Sequence, residues 1–95
     1  MTTKNFTVII TDNRADGEVT SDDVTYYGIS NRTGKSIRLK GTDWHTTGPD
    51  GSPGRFLGYK FKSGDITYLV FDEGRLEVLS GNGAVLVDET GTWNN

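Results

Sequence analysis

Short runs of β-forming residues separated by tight turns constrain this chain more than any other feature. From residue 55 onward, four such runs follow one another, at residues 55–62, 66–71, 76–79 and 84–89. Turns of only a few residues join antiparallel neighbours, whereas parallel strands need a crossover of about a dozen residues or more. This half of the chain is therefore predicted to be an antiparallel meander.

The first half of the chain carries the same pattern with longer connections. Runs rich in Val, Ile, Thr and Tyr cover residues 6–11 and 24–30, and a third run covers residues 36–40. No window of about eleven residues repeats apolar residues at the helical spacing, and so no long helix is predicted. We predict one all-β domain over residues 1–95, a small antiparallel meander of about six or seven strands that forms a barrel or a strongly bent sheet.

Composition is consistent with a small, soluble domain that has an aromatic core. Hydrophobic residues make up 33% of the chain and aromatic residues 11%, and each aromatic side chain buries a large area. Cysteine is absent, which excludes disulfides, zinc–thiolate sites and thiol catalysis. No leader pattern and no apolar run of membrane-spanning length is present, and so a cytoplasmic protein without a membrane partner is expected.

The charges of the chain fall into three blocks. Residues 1–31 carry a net charge of −3, residues 32–62 carry seven basic and two acidic residues for a net +5, and residues 63–95 carry a net −5. The basic middle block and its acidic flanks predict that neighbouring strands of opposite charge attract each other across the sheet.

Two segments resemble ligand-binding motifs but do not complete them. Residues 32–36 end like a phosphate-binding loop, but five residues separate Gly28 from Gly34 where the motif needs four, and no helix follows. We predict a hairpin turn there, with Gly34 at positive φ. Residues 12–23 partly match a calcium-binding loop, but Arg14 occupies a ligand position. A solvated loop is expected, with weak calcium binding as the alternative, and no metal or cofactor is predicted.

Residues that could support catalysis are sparse. His45 is the only histidine, Asp43 could orient it, and Ser52 could be a nucleophile. Nothing in their spacing brings these three groups together, and a carboxylate-based site remains the other enzymatic alternative. We therefore expect that the protein is not an enzyme and has no catalytic residues.

Residues 41–54 form the most distinctive segment, and we predict that they are a long loop. The segment contains Trp44 and His45, four glycines and two prolines, and basic residues flank it. Long loops in small domains are usually functional, and an exposed tryptophan often anchors a partner. In the alternative interpretation, Trp44 folds back and plugs one end of the barrel.

These features favour a non-catalytic protein-binding module, such as a small inhibitor or adaptor, that uses this loop on a β scaffold. The predicted partner-binding residues are Trp44, His45, Arg55, Tyr59, Arg38 and Lys40. The alternative function is a nucleic-acid-binding barrel that uses the basic, aromatic middle of the chain. The chain is expected to be a monomer or a homodimer, because the edge strand of an open barrel could pair with a second copy.

Overall fold

The computed structural model describes residues 1–13 and 23–93, which form eight strands in a closed antiparallel barrel. The strands are β1 (Thr2–Thr3), β2 (Phe6–Asp12), β3 (Val24–Ser30), β4 (Ser36–Thr47), β5 (Pro53–Ser63), β6 (Ile66–Phe71), β7 (Arg75–Leu79) and β8 (Val85–Thr92). Each strand pairs with its neighbours in the chain, and β1 pairs with β8 to close the ring. The predicted meander barrel is confirmed, with eight strands where six or seven were expected.

Among the described residues, no helix has the length and apolar character needed to cross a membrane. The predicted hairpin turn over residues 32–36 is confirmed, since it connects β3 to β4. Gly34 has a φ of 73° and donates its N–H to the carbonyl of Ser30 at 2.9 Å. A positive φ is favourable for glycine because it has no Cβ.

The predicted loop over residues 41–54 is wrong, because most of this segment is strand. β4 continues to Thr47 and β5 begins at Pro53, so that only residues 48–52 form the turn between them. The β4–β5 ladder pairs Asp43 with Tyr59 and Trp44 with Gly58. The threonines and Trp44 of this segment favour strand structure, and the ladder also includes Gly41 and Pro53.

The core fills the interior of the barrel with inward-facing side chains from alternate positions of the strands. The largest fully buried side chains are those of Tyr26, Phe61, Leu76, Val8, Val24 and Val70. The ring of Tyr26 contacts those of Phe61 and Tyr68, with centroids 5.3 Å apart in both pairs. An eight-stranded barrel is just wide enough for side chains to fill, or to hold one small ligand.

The short strand β1 closes the barrel. The Met1 ammonium donates to the carbonyl of Val8 at 2.6 Å, and the N–H of Val8 donates to the carbonyl of Met1 at 2.7 Å. On the other side, Thr2 pairs with Thr92. Closure gives every described strand two neighbours, and so the open edge on which the homodimer expectation rested is not present among these strands.

Because successive strands run in opposite directions, the barrel has two distinct ends. One end carries the turns at residues 31–35, 64–65 and 80–84, and we call it the Lys35 end. The other end carries the turns at residues 48–52 and 72–74 together with Trp93, and we call it the Trp93 end. The indole N–H of Trp93 donates to the carbonyl of Asp72 at 2.8 Å there.

Candidate functional site

The outer surface of β4 and β5 collects the cations of the middle charge block. Its exposed, outward-facing basic residues are Arg38, Lys40, Lys60 and Lys62, which we call the basic wall. Strands that are consecutive in a meander lie side by side, so that a charge block in the sequence becomes one charged side of the barrel. The ladder pairs Gly41 with Phe61 and Thr42 with Lys60, so that Lys40 and Lys62 are the neighbouring outward positions just beyond its last pair.

Three of the six acidic residues of the third block, Glu77, Asp88 and Glu89, lie on β7 and β8, three strands further round the barrel. Glu77 and Asp88 are directly opposite each other in this ladder, and Arg75 binds them at 2.5 Å and 2.8 Å. The attraction between opposite charges on β7 and β8 therefore joins residues of the same block, with Arg75 as the cation. Among the described residues, the basic wall makes one ion pair, between Lys40 and Asp23 at 3.2 Å.

Three aromatic rings on the outer surface each have a cation above them. Arg38 lies over Tyr27, Lys60 over Trp44 and Arg75 over Phe71, at 5.3, 5.0 and 5.1 Å from the ring centroids. Contacts of this kind contribute about 0.5–1 kcal/mol at exposed sites. Two of these cations, Arg38 and Lys60, belong to the basic wall, and the contacts favour positions of their charges over the neighbouring rings.

The register of the ladders explains how Trp44 reaches this surface. Asp43 is 9% exposed and faces the interior, and the alternation of a strand turns Trp44 outward. Trp44 is opposite Gly58 and Gly58 is opposite Phe71, so that the two rings meet edge to face over the glycine at 5.4 Å. Trp44 is therefore neither an anchor on a long loop nor a plug in the end of the barrel.

His45 and Tyr59 lie in a packed cluster near the Trp93 end. The ring of Phe56 contacts both of them, with centroids 5.3 Å apart in each pair. The side chain of His45 is 12% exposed, and its Nδ1 lies 4.0 Å from Oδ2 of Asp43. Of the six predicted partner-binding residues, Arg38, Lys40 and Trp44 lie on the outer face of β4, and no contact that the structure describes joins Trp44 to the other two. The structure separates His45 and Tyr59 from them.

Arg55, the sixth predicted residue, is exposed near the tip of the β4–β5 hairpin, where its N–H donates to Oγ1 of Thr46 at 2.8 Å. Ser52 lies at the same tip and donates its hydroxyl to Asp50 at 2.5 Å. This hydrogen bond is the main cause that holds the pKa of Asp50 below its usual value. The hydroxyl of Ser52 is thus bonded to Asp50, and the structure does not assemble it with His45.

Among the described residues, no group of three or more His, Asp or Glu side chains could hold a metal ion. Most of the candidate calcium-binding loop, at residues 14–22, lies outside the described part of the chain.

A pocket that the sequence pattern did not predict lies at the Lys35 end. It has a volume of about 370 Å³, with Tyr26, Tyr68 and Leu76 among its inner lining residues and Lys35 and Ile37 nearer its opening. A sequence signal was available, because the last inward-facing positions of β3 hold glycine and serine instead of large side chains. Such positions leave the mouth of a barrel unfilled.

Comparison with known proteins yields no match: no family model fits the sequence, and no curated protein or solved structure matches it.

Proposed function

We propose that this domain is a non-catalytic binding module that binds an acidic surface of another protein through its basic wall. The observation that carries the proposal is the grouping of four cations on two adjacent strands. Among the described residues, only Lys40 of this group has an ion-pair partner. A surface of one sign attracts the opposite sign, accelerates association and orients the partner.

The aromatic residues within the wall support a specific interface as well as a charged one. Binding energy at protein interfaces concentrates in a few residues, among which tryptophan, tyrosine and arginine are enriched. Arg38, Tyr27 and Trp44 are residues of these types on adjacent strands. A module of this kind supplies binding alone, which is the role of a small inhibitor or adaptor.

Nucleic acid is the second candidate partner, and the basic, aromatic wall is the observation in its favour. A single strand binds such surfaces by stacking its bases on open aromatic faces. Here Lys60 covers Trp44 and Arg38 covers Tyr27, so that a base would have to displace a cation before it could stack. A carboxylate can bind the same cations while they stay over the rings. We therefore favour the acidic protein.

Charge reversals test this proposal better than removal of Trp44. The ring of Trp44 packs against Phe71, and so an alanine there would change stability together with binding. Lys60 and Lys62 are exposed, and glutamate at both positions reverses the wall. The matched control reverses Arg32 and Lys35, two exposed residues in the turn between β3 and β4, with the same change in net charge.

The experiment is a pull-down from nuclease-treated lysate of the source cells, followed by binding measurements with each purified candidate. We expect at least one acidic protein to bind the wild type and the control variant. The wall variant should weaken its binding about tenfold or more, equivalent to about 1.4 kcal/mol. The affinity should also fall as salt is added, because exposed charges are screened.

Two results would contradict the proposal. Capture that is unchanged in the wall variant would remove the basic wall as the binding surface. Salt-sensitive binding of single-stranded DNA that the wall variant loses, without any captured protein, would establish the nucleic-acid function instead.

A further inference from the structure

The pocket at the Lys35 end has the size and lining of a small-molecule site. Its volume of about 370 Å³ lies within the range of about 300–1,000 Å³ that ligand pockets occupy. Its walls include Ile66, Leu76, Val78 and Val87, and so they are mainly apolar. The pocket opens at the mouth of the barrel, away from the tip of the β4–β5 hairpin, and none of the residues of the basic wall lines it.

Glycine in β3 determines the shape of the inner end of this pocket. The ring of Tyr26 lies against Gly28, and a Cβ at Gly28 would be 2.5 Å from the Tyr26 hydroxyl oxygen. Gly28 is the next inward position toward the Lys35 end, so that the hydroxyl is directed toward the mouth. Leu76 and Val78 pack beside it in the core.

The Tyr26 hydroxyl offers the pocket a hydrogen-bond donor. Tyr26 is 2% exposed and lines the pocket. Burial, together with the neighbouring Tyr68, raises the pKa of Tyr26 above its usual value, and so the phenol keeps its proton. An oxygen atom of a ligand that reaches this hydroxyl would accept its hydrogen bond.

The rim of the pocket combines one cation with exposed apolar side chains. Lys35 lines the opening, and no described residue forms an ion pair with it. Ile37 is 36% exposed and Leu86 is 54% exposed beside it. An apolar interior with a cation at its entrance is complementary to a molecule that has an apolar body and an anionic head.

We propose that this pocket binds a medium-chain carboxylic acid, with the carboxylate at Lys35, the chain between the apolar walls and the far end near Tyr26. An oxygen atom at the far end of the chain strengthens binding, because it accepts the hydrogen bond of the Tyr26 hydroxyl. This site does not depend on the proposed protein-binding function, since the two use different residues.

The experiment is calorimetric titration of the full chain with dodecanoate, dodecanol and ω-hydroxydodecanoate, each below its micelle-forming concentration. The wild type should bind one dodecanoate per chain, and ω-hydroxydodecanoate more tightly. Lys35→Gln should weaken the binding of dodecanoate about tenfold, because the carboxylate then loses the cation that pairs with it. The binding of dodecanol should not change, since dodecanol carries no charge. Tyr26→Phe should abolish the advantage of the ω-hydroxyl group.

Two control variants match these changes. Arg32→Gln alters a cation of the same turn that does not line the pocket, and it should leave all affinities unchanged. Leu86→Glu is a further test variant, and it should weaken the binding of all three probes because Leu86 lines the pocket. Its control is Val85→Glu, which should not weaken binding, since Val85 is 59% exposed and does not line the pocket.

Absence of dodecanoate binding by the wild type would overturn the proposal. Binding that neither Lys35→Gln nor Leu86→Glu weakens would also overturn it, because the acid would then bind elsewhere. If Leu86→Glu instead converts a dimer to a monomer, the mouth is an interface between copies of this chain, and the proposal fails.

Discussion

At the scale of single residues, Gly58 organises the outer surface of the barrel. Its φ is +147°, and a Cβ there would lie 2.0 Å from the carbonyl oxygen of Val70. No side chain fits at this position, and the space is instead covered by the rings of Trp44 and Phe71, which meet above it. One glycine therefore brings together two aromatic residues from strands that are not adjacent.

We expect Gly58→Ala to lower the free energy of unfolding by about 2–4 kcal/mol, because a backbone clash adds to the positive φ. Gly34→Ala is the matched control, since Gly34 also has a positive φ but has open space around it, and it should cost about 1 kcal/mol. Urea denaturation measures both values. Equal losses in the two variants would mean that the close packing at Gly58 has no energetic effect.

At the scale of strands, the barrel is closed by a two-residue strand that needs further support. The Glu89 carboxylate on β8 supplies it, accepting hydrogen bonds from the backbone N–H of Asn5 at 3.0 Å and its side-chain amide at 2.8 Å. Desolvation alone would raise the pKa of Glu89, but the hydrogen bonds from Asn5 and Thr3 outweigh it, and so the pKa is lowered. The charged form thus connects β8 to the turn that follows β1.

The lowered pKa of Glu89 predicts a pH dependence of stability. A carboxyl whose pKa is lower in the folded state contributes stability above its unfolded value, and this contribution is lost as the pH falls through the folded value. Glu89→Gln should therefore be less stable than the wild type at neutral pH. The difference should shrink as the pH falls from about 5 to about 3.

Urea denaturation at several pH values measures this effect. The matched control is Glu73→Gln, at an exposed glutamate in the turn between β6 and β7. If both variants change with pH in the same way, the connection through Glu89 does not stabilise the closure of the barrel.

At the scale of the whole molecule, the meander order converts blocks of sequence charge into charged sides. In a fold where distant segments pair, the basic middle block could have faced its acidic flanks. Here β4 pairs with β5, so that the cations of the basic wall lie on adjacent strands, and among the described residues only Lys40 of the wall has an anion as its partner, Asp23. Like charges on adjacent strands repel each other, and so this arrangement lowers stability while it creates a surface for an acidic partner.

This repulsion predicts that Lys62→Glu raises the melting temperature at low salt, because it replaces a cation beside Lys40 with an anion. The gain should disappear at high salt, where exposed charges are screened. The same change should weaken binding to an acidic partner. Lys4→Glu is the control and should lower stability, since the charge of Lys4 favours the Glu89 carboxylate.

Thermal melts over a range of salt concentrations measure the two variants. A melting temperature for Lys62→Glu below that of the wild type at low salt would show that repulsion between the cations of the wall does not lower stability.

Local chemistry determined most of the architecture. The strands Val24–Ser30 and Ile66–Phe71 begin and end where the sequence pattern predicts, because β-branched and aromatic residues stop there at residues that favour turns. Short turns then require antiparallel neighbours, and the order of strands around the barrel follows from the order in the chain. The three charge blocks can also be read directly from the sequence. Their positions on the barrel follow from the order of the strands.

Only the tertiary structure decided how the barrel closes and where its sites lie. The two residues of β1 carry no periodic signal, and they are a strand because β8, from the far end of the chain, pairs with them. The outward position of Trp44 depends on the ladder with β5, and its contact with Phe71 depends on the absence of a side chain at Gly58. The pocket at the Lys35 end depends on which side chains meet across the mouth. Each of these outcomes is a contact between residues distant in sequence, and a local pattern contains no information about such contacts.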